Sequence, residues 1–173
     1  MKTLTTHFGS LRPFTYDDID SMTRYAANYN VWINLRDAFP YPYERHHAEG
    51  FIRMALLSDV QNTFAISKSQ ECIGTIGYHP QEDVNRYSAE VGYWIGEPFW
   101  GQGIATEAVR VLTRHVFEHT GIIRLFALPF AGNAGSIKVL ENAGYRQEGL
   151  LKKAAVKNGQ VRDQYVYAIT RQG

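Results

Sequence analysis

Hydrophobic positions recur with two different periods along the chain. Strand-like runs, either continuously apolar or alternating, occupy Thr63–Ser67, Cys72–His79, Ala89–Ile95 and Ile122–Leu128. Helical spacing, with apolar residues three and four positions apart, predicts two helices, one carrying Phe51, Ile52, Ala55 and Leu56 and the other Ile104, Ala108, Val111, Leu112 and Val116. A short polar segment joins the first two strand-like runs, so these runs are predicted to form an antiparallel hairpin.

Turn and capping residues set the remaining boundaries. The segment Gly9–Phe14 predicts a first strand, and Thr15 and Asp18 have the spacing of a capping box for a helix that runs to about Asn28. Asn133 opens a short helix that ends at Gly144, and Asn158-Gly159 is a typical turn between two final strands. The predicted order is β-α-α-β-β-β-α-β-α-β-β, with seven strands and about four helices. We therefore expect an α/β (α+β) fold with a central mixed, mostly antiparallel sheet.

Length and charge narrow the class of protein. The chain has 173 residues, which is typical of one domain, so we expect a single domain over residues 1–173. The 18 basic and 17 acidic residues nearly balance, and no block of like charges forms a tail. This pattern argues against nucleic acid and membrane surfaces as partners.

Cysteine and histidine positions argue against a disulfide framework and against a metal site. Cys72 is the only cysteine, so neither a disulfide nor a thiolate cluster can form, which fits a reducing compartment. No apolar run has the length of a signal peptide or approaches the roughly 18 residues of a membrane span. His46 and His47 are adjacent, so their rings do not share a helix face, and no zinc-type spacing follows them. We expect a cytoplasmic protein without a metal.

A glycine turn between the strand Ala89–Ile95 and the helix after it is the most informative local motif. In WGQGIATEA, Gly101 and Gly103 allow a ligand to approach the backbone, and the helix start offers unpaired N–H groups and a positive dipole end. This predicts a phosphorylated ligand: a dinucleotide, a nucleoside triphosphate or coenzyme A. A triphosphate loop needs a Gly-Lys-Ser/Thr ending, and the dinucleotide fingerprint needs Gly or Ala where Thr106 stands. An ordinary strand-to-helix turn without a ligand is the alternative.

Two longer motifs contain this turn and the short helix after Asn133. The segments AEVGYWIGEPFWGQGIATEAV and NAGSIKVLENAGYRQEG resemble the two cofactor motifs of the GNAT superfamily of N-acetyltransferases, and in particular its RimJ/RimL-type branch of ribosomal-protein N-terminal acetyltransferases. The resemblance covers nearly the whole chain, including NVWINLRDAFPYPY and the terminal hairpin. It implies a GNAT fold that transfers an acetyl group from acetyl-CoA, as co-substrate, to a primary amine, which in this branch is a protein or peptide N-terminal α-amine.

The resemblance also implies a set of contacts with coenzyme A. Backbone N–H groups of the turn would hold the pyrophosphate, which implies Gln102, Gly103, Ile104, Ala105 and Thr106. The preceding strand would pair with the pantetheine through the main chain of Trp94 and Ile95, and an N–H near Trp94 would meet the oxyanion. Asn133 is implied as a further cofactor contact and is also a preferred helix N-cap.

Two positions depart from the superfamily pattern. Trp100 stands where the signature usually has Gln or Arg, although an aromatic residue is common there in the RimJ/RimL-type branch. Leu140 stands where many members carry a tyrosine that protonates the departing thiolate, and leucine cannot donate a proton. Ser136 lies one helical turn earlier on the same face and is predicted to contact the coenzyme and to act as the general acid. A serine that satisfies its own helix end is the alternative.

The proposed reaction also requires a base, because a lysine-type amine is almost wholly protonated near neutral pH. Glu90 heads the strand that the resemblance places along the acyl chain, where the superfamily commonly has a catalytic glutamate. An exposed carboxylate at a strand end is the alternative.

Aromatic residues between the first two predicted helices form the candidate acceptor region. The resemblance implies that Trp32, Tyr41 and Tyr43 bind the acceptor substrate, whereas packing between helices or a dimer contact would explain them equally well. An edge strand at the C-terminus would also allow a homodimer. Alternative functions are acetyl transfer to a small amine (a polyamine, an aminoglycoside or an amino acid) and a non-catalytic coenzyme A-binding sensor. A nucleotide-binding redox enzyme is disfavoured by the fingerprint and by the strand order.

Overall fold

The computed structural model describes residues 2–172 and contains one eight-stranded sheet. The strands are β1 (Leu4–Thr6), β2 (Gly9–Arg12), β3 (Thr63–Lys68), β4 (Glu71–Pro80), β5 (Ser88–Ile95), β6 (Arg124–Ala127), β7 (Arg146–Lys157) and β8 (Gln160–Thr170). The α-helices are α1 (Ile19–Ala26), α2 (Tyr29–Trp32), α3 (Arg45–Leu57), α4 (Ile104–His119) and α5 (Ala134–Asn142). Short 3-10 helices span Tyr16–Asp18, Asp83–Asn85 and Glu97–Phe99.

The sheet is mixed and mostly antiparallel, as the sequence predicts. The strand order is β1-β2-β3-β4-β5-β6-β8-β7, and among residues 2–172 only β5 and β6 pair in parallel. The predicted count of seven strands is wrong by one, because the predicted first strand is the second arm of a hairpin in which Leu4 pairs with Leu11. Gly9 permits the close approach of β2 to β3, since a Cβ at Gly9 would lie 2.2 Å from the carbonyl oxygen of Ser67 in β3.

The predicted helix count of about four becomes five, because α2 forms inside a segment predicted to be a loop. Its N-cap is Asn28, whose Oδ1 accepts hydrogen bonds from the N–H groups of Asn30 (2.7 Å) and Val31 (3.2 Å). The first predicted helix is divided into a 3-10 helix and α1, which begins at Ile19. The side chain of Asp18 accepts a hydrogen bond from the N–H of Thr15 (2.9 Å) at the start of the 3-10 helix. The predicted cap at Asn133 and the turn at Asn158-Gly159 are confirmed.

Helices cover both faces of the sheet and divide the buried apolar residues into two clusters. One cluster joins the sheet to α4 and α5 and includes Leu112, Val109 and Leu140, all with no exposed surface. The other joins the sheet to α1 and α3 and includes Met22 and Ile52. Successive side chains of a strand point to opposite faces, so neighbouring residues of β5 contribute to different clusters. This strand therefore carries side chains into both layers.

Within residues 2–172, no helix combines the length and the apolar composition that crossing a bilayer requires.

Candidate active site

The glycine turn presents unpaired backbone N–H groups at the start of α4. Gly101 and Gly103 have φ angles of +72° and +77°, and a Cβ at either residue would meet no atom within 4 Å. Gly103 is the N-cap and has no side chain, so no side chain of its own caps the N–H groups of Ile104, Ala105 and Thr106. Ile104 is 3 % exposed and anchors this helix start in the core. The turn is thus an open site with a positive dipole end, which suits an anion.

Side-chain hydrogen bonds fix the position of the turn. Gln102 donates from Nε2 to the carbonyl oxygen of Pro98 (2.9 Å), and Lys68 donates to Oε1 of Gln102 (3.1 Å). The indole of Trp100 donates to the carbonyl oxygen of Ile95 (2.8 Å) and so ties the turn to the end of β5. The unusual tryptophan at this position therefore has a structural role, and Lys68 adds positive charge beside the turn.

The sheet is split next to β5. The parallel register pairs Ser88 with Arg124 and Glu90 with Phe126, and β6 ends soon afterwards at Ala127 while β5 continues to Ile95. Beyond Glu90, β5 keeps β4 as a partner on one edge, and no other strand of residues 2–172 pairs with its second edge. Main-chain groups along this part of β5 are therefore available to a ligand.

Hydrogen bonds at the two ends of β5 identify which residues face this split. The N–H of Gly96 donates to the carbonyl oxygen of Ile73 in β4 (2.8 Å), and the carbonyl oxygen of Tyr87 accepts from the N–H of Ile123, just before β6 (2.8 Å). The β4–β5 register runs without a bulge between these points. Because main-chain groups of successive strand residues point to opposite edges, even-numbered residues face β4 and odd-numbered residues face the split.

This alternation corrects one sequence-based assignment. The amide and carbonyl of Trp94 face β4, so they are taken up by the sheet and do not reach the split. The residues whose main chain faces the split are Val91, Tyr93 and Ile95. The side chain of Trp94 packs in the cluster of α1 and α3, where it is 8 % exposed.

Glu90 lies at the start of the split, on the face covered by α1 and α3. Its carboxylate Oε1 pairs with the guanidinium of Arg36, which lies in the segment between α2 and α3. The side chain of Glu90 is 17 % exposed and that of Arg36 is 66 % exposed, so the pair lies where the split opens to solvent. A Cβ at Gly92, on the same face, would meet no atom within 4 Å. Open space therefore lies beside the Glu90 carboxylate.

Ser136 lies near the opposite face, in the first turn of α5. Its N–H donates to Oδ1 of Asn133 (3.0 Å), so Asn133 caps the helix. The Oγ atom of Ser136 is 2.8 Å from the hydroxyl oxygen of Tyr93, and the Tyr93 hydroxyl also donates to the Ser136 carbonyl oxygen (3.2 Å). Burial raises the pKa of Tyr93, so this phenol keeps its proton throughout the ordinary range of pH. Leu140 is fully buried and contributes only packing.

A partly exposed aromatic cluster lies at α2 and the segment after it, where the sequence predicts the acceptor region. The rings of Trp32 and Tyr41 stack with centroids 4.9 Å apart, and Tyr29 packs against both. The ammonium of Lys157, from the tip of the β7–β8 hairpin, lies 3.9 Å from the Trp32 ring centroid and donates to Asp37 (2.9 Å). Lys157 has no exposed surface, so this cation anchors the hairpin to the segment between α2 and α3.

Tyr43 lies apart from this exposed cluster, and its role in substrate binding stays a prediction. It is 5 % exposed, and its ring stacks on Phe39 with centroids 4.9 Å apart. Phe39 in turn packs edge-on against Trp94 (5.7 Å). Phe39 and Tyr43 belong to the segment between α2 and α3, and their rings pack this segment against Trp94 of β5.

Sequence reasoning missed three residues that the structure brings to the site. Arg36 and Lys157 lie in segments without periodic patterns, and their partners are 54 and 120 positions away. Tyr93 could have been found, because period-two alternation in AEVGYWI places its side chain opposite those of Glu90 and Trp94.

The acetyltransferase (GNAT) domain family matches residues 10–146. The chain therefore belongs to the GNAT family, and it is an N-acetyltransferase that uses acetyl-CoA as the acetyl donor.

Individual relatives agree with this assignment. The chain is similar to the uncharacterized N-acetyltransferase p20 of Bacillus licheniformis, with 29% identity over 175 residues that cover 99% of this chain and 97% of the relative. The ribosomal-protein-serine acetyltransferase of Escherichia coli (strain K12) is 33% identical over 123 residues, which cover 70% of this chain and 63% of that enzyme. The structure of RimL, a ribosomal-protein α-N-acetyltransferase in complex with coenzyme A, superposes with a TM-score of 0.85 over 98% of both chains at 22% identity. This last likeness concerns the fold.

Proposed function

We propose that this acetyltransferase acts on the α-amine of a protein or peptide N-terminus, with Glu90 as the base and Ser136 as the residue that assists the departing sulfur. The observation that carries the proposal is the split beside β5, which has a carboxylate on one face and a pair of hydroxyl groups near the other. An amine and a thioester that meet in this split would have a proton acceptor and a hydrogen-bond donor on opposite sides.

Two observations support coenzyme A as the ligand of the turn and the split. The N–H groups of Ile104, Ala105 and Thr106, with the backbone of Gln102 and Gly103, offer a pyrophosphate an open, electropositive turn beside Lys68. The main-chain groups of Tyr93 and the N–H of Ile95 face the split and offer the pantetheine amides a strand edge, whereas the carbonyl oxygen of Ile95 accepts from the Trp100 indole. Acetyl-CoA would supply the acetyl group there as a thioester, whose carbonyl carbon is the electrophile.

Different residues of the split can then accept the proton of the amine and stabilise the negative charge that develops. Arg36 contacts Oε1 of Glu90, and among the described residues nothing donates to Oε2, which can accept a proton from the amine directly or through water. The amide N–H of Tyr93 faces the split and can donate to the oxygen that becomes negative. The Ser136 hydroxyl donates a hydrogen bond to the departing sulfur. Asn133 contributes by fixing the helix turn that carries Ser136.

Proton chemistry favours an α-amine over a lysine side chain. An α-amine has a pKa of about 7.7 to 8.0, so roughly one molecule in ten is neutral at pH 7, whereas the ε-amine of lysine has a pKa of about 10.4 and is far more fully protonated. Carboxylates are weak bases, and an acceptor that is already partly neutral matches a carboxylate base better. Tyr41 is 48 % exposed and stacks on the partly exposed Trp32, so this pair supplies an apolar surface for the first side chain of such a peptide. The name of the Escherichia coli relative gives a ribosomal protein as its acceptor, and RimL is described as an α-N-acetyltransferase of a ribosomal protein.

Replacement of Glu90 by glutamine tests the assignment of the base. We expect kcat/KM for a peptide acceptor to fall by about 100-fold or more at pH 7, which is the usual contribution of a general base. Partial recovery should follow at pH 9 to 9.5, at about one unit or more above the α-amine pKa, because the amine then needs no base. Coenzyme A binding, followed by calorimetry, should stay unchanged.

Glu148→Gln provides a matched control, because the carboxylate of Glu148 also pairs with an arginine, Arg124, but on β7 at the sheet edge. This variant should keep full activity at every pH. Retention of more than about one third of wild-type kcat/KM by Glu90→Gln at pH 7 would rule out Glu90 as the base.

A further inference from the structure

The hydroxyl of Tyr93 is placed to control the hydroxyl of Ser136. The side chain of Tyr93 leaves β5 on the face of α4 and α5 and packs against the buried cluster there. Its oxygen is 2.8 Å from Oγ of Ser136 and 3.2 Å from the carbonyl oxygen of the same residue. These are the only hydrogen bonds of the Tyr93 hydroxyl to other groups among residues 2–172. Both hydrogen bonds of this hydroxyl are therefore made with Ser136.

The donor and acceptor capacities of these groups allow two arrangements. A carbonyl oxygen only accepts, so the contact with the Ser136 carbonyl requires donation by the phenol. In one arrangement the phenol donates to the carbonyl, and Ser136 donates its own proton to the phenol oxygen. In the other, the phenol donates to Oγ, and the Ser136 proton is free to point toward a different acceptor. An anionic sulfur is such an acceptor and would favour the second arrangement, because hydrogen bonds to charged groups are the stronger ones.

We propose that Tyr93 is the positioning residue for Ser136, donating to its Oγ atom so that the Ser136 hydroxyl points at the departing sulfur. The inference rests on the proposed function. In this arrangement the electron pair of the broken C–S bond stays on sulfur, which accepts the Ser136 hydrogen bond, and no proton needs to leave either hydroxyl.

Burial supports this role, since the raised pKa of Tyr93 keeps the phenol protonated and hence a donor at every pH at which the enzyme would work. The main chain of Tyr93 faces the split as well. One residue can thus serve the carbonyl oxygen through its amide and the sulfur through Ser136.

The pKa of the thiol of bound coenzyme A provides a test that needs no acceptor. A hydrogen bond to the thiolate lowers this pKa relative to that of a complex without the hydrogen bond. We would titrate the thiolate absorbance near 240 nm of coenzyme A in complex with the intact protein, using its difference from a complex with desulfo-coenzyme A. Tyr93→Phe and Ser136→Ala should each raise the thiol pKa by at least about half a unit, and the double variant should show no further rise.

Tyr145→Phe is a matched control. Tyr145 is also a buried tyrosine of this cluster, its hydroxyl is 2.8 Å from that of Thr113, and burial raises its pKa too. This variant should leave the thiol pKa unchanged. In turnover, Tyr93→Phe should lower kcat about fivefold, with no effect on the KM for acetyl-CoA and no additional loss in a Ser136→Ala background.

The outcomes separate the two proposals. A thiol pKa that is the same in wild type and Tyr93→Phe, or additive effects of Tyr93→Phe and Ser136→Ala, would overturn the positioning role while leaving the proposed function intact. If coenzyme A does not bind, the proposed function is refuted, and the positioning role that rests on it is refuted with it. A purely structural role for the Tyr93 hydroxyl would lower the free energy of unfolding in Tyr93→Phe and Tyr145→Phe alike without moving the thiol pKa.

Discussion

Replacement of Gly103 by alanine should separate ligand binding from backbone strain. Gly103 has a φ of +77°, where an L-residue with a Cβ costs roughly 1 to 2 kcal/mol, so the free energy of unfolding should fall by about that amount. The added Cβ meets no atom within 4 Å in the free protein, so no clash adds to this cost. The same Cβ would project into the open turn at the start of α4, where a pyrophosphate has to approach the backbone.

Gly159→Ala is the matched control for this experiment. Gly159 has a φ of +72° and equally open surroundings, but it lies in the β7–β8 turn. Both variants should lose similar stability in urea unfolding. Calorimetry should show coenzyme A binding weakened at least about tenfold, or 1.4 kcal/mol, in Gly103→Ala and unchanged in Gly159→Ala.

Equal affinity of Gly103→Ala and wild type for coenzyme A, at the expected loss of stability, would refute the assignment of this turn as the pyrophosphate site. An equal loss of affinity in both variants would also refute it, because the effect would then come from general destabilisation.

Three further predictions concern stability and reactivity. Asp18 is 3 % exposed, and its carboxylate accepts two hydrogen bonds from Arg12 (2.8 and 2.6 Å). Asp18→Asn should therefore lower the free energy of unfolding by about 3 kcal/mol in urea titrations. A loss below about 1 kcal/mol would contradict a buried ion pair. Burial raises the pKa of Tyr43, Tyr93 and Tyr145, which favours the neutral phenol in the folded state. The free energy of unfolding should therefore stay constant up to about pH 10 and fall above it by up to about 1.4 kcal/mol per pH unit for each tyrosine. A free energy of unfolding that does not change up to about pH 11 would oppose this. Burial also raises the pKa of Cys72 to about 12, so a thiol reagent at pH 8 should modify the native protein about 100-fold more slowly than the urea-unfolded chain, and comparable rates would show that the thiol is accessible.

The parts of the fold that the sequence predicts correctly depend on local signals. Asn133 caps α5 because a short polar side chain satisfies the helix start directly after it, and the cap is visible in the sequence. The turn at Gly103 is likewise a local feature, since only glycine adopts its φ without strain. The alternation of side chains in β5 also follows from the sequence, but the edge that the Trp94 main chain faces depends on the register with β4.

The parts that the sequence does not predict depend on contacts between distant residues. The short helix α2 is held by an Asn28 cap inside a segment rich in aromatics and prolines, where no period is visible. Tyr43 is buried because Phe39 and Trp94 cover it, and an aromatic residue in a loop gives no sign of such packing. The Arg36–Glu90 pair likewise requires the folded arrangement of α2 and β5, so it cannot be read from either segment alone.

The measurement that tests the account most directly is thiol release from acetyl-CoA with a peptide that has a free N-terminus and one internal lysine. The control is the same peptide acetylated at its N-terminus beforehand, and mass spectrometry locates the acetyl group. We expect thiol release with the free peptide, acetylation at its α-amine, and no turnover with the blocked peptide. Equal turnover with the blocked peptide, or turnover with polyamines alone, would contradict the proposed acceptor and would assign the site to another class of amine.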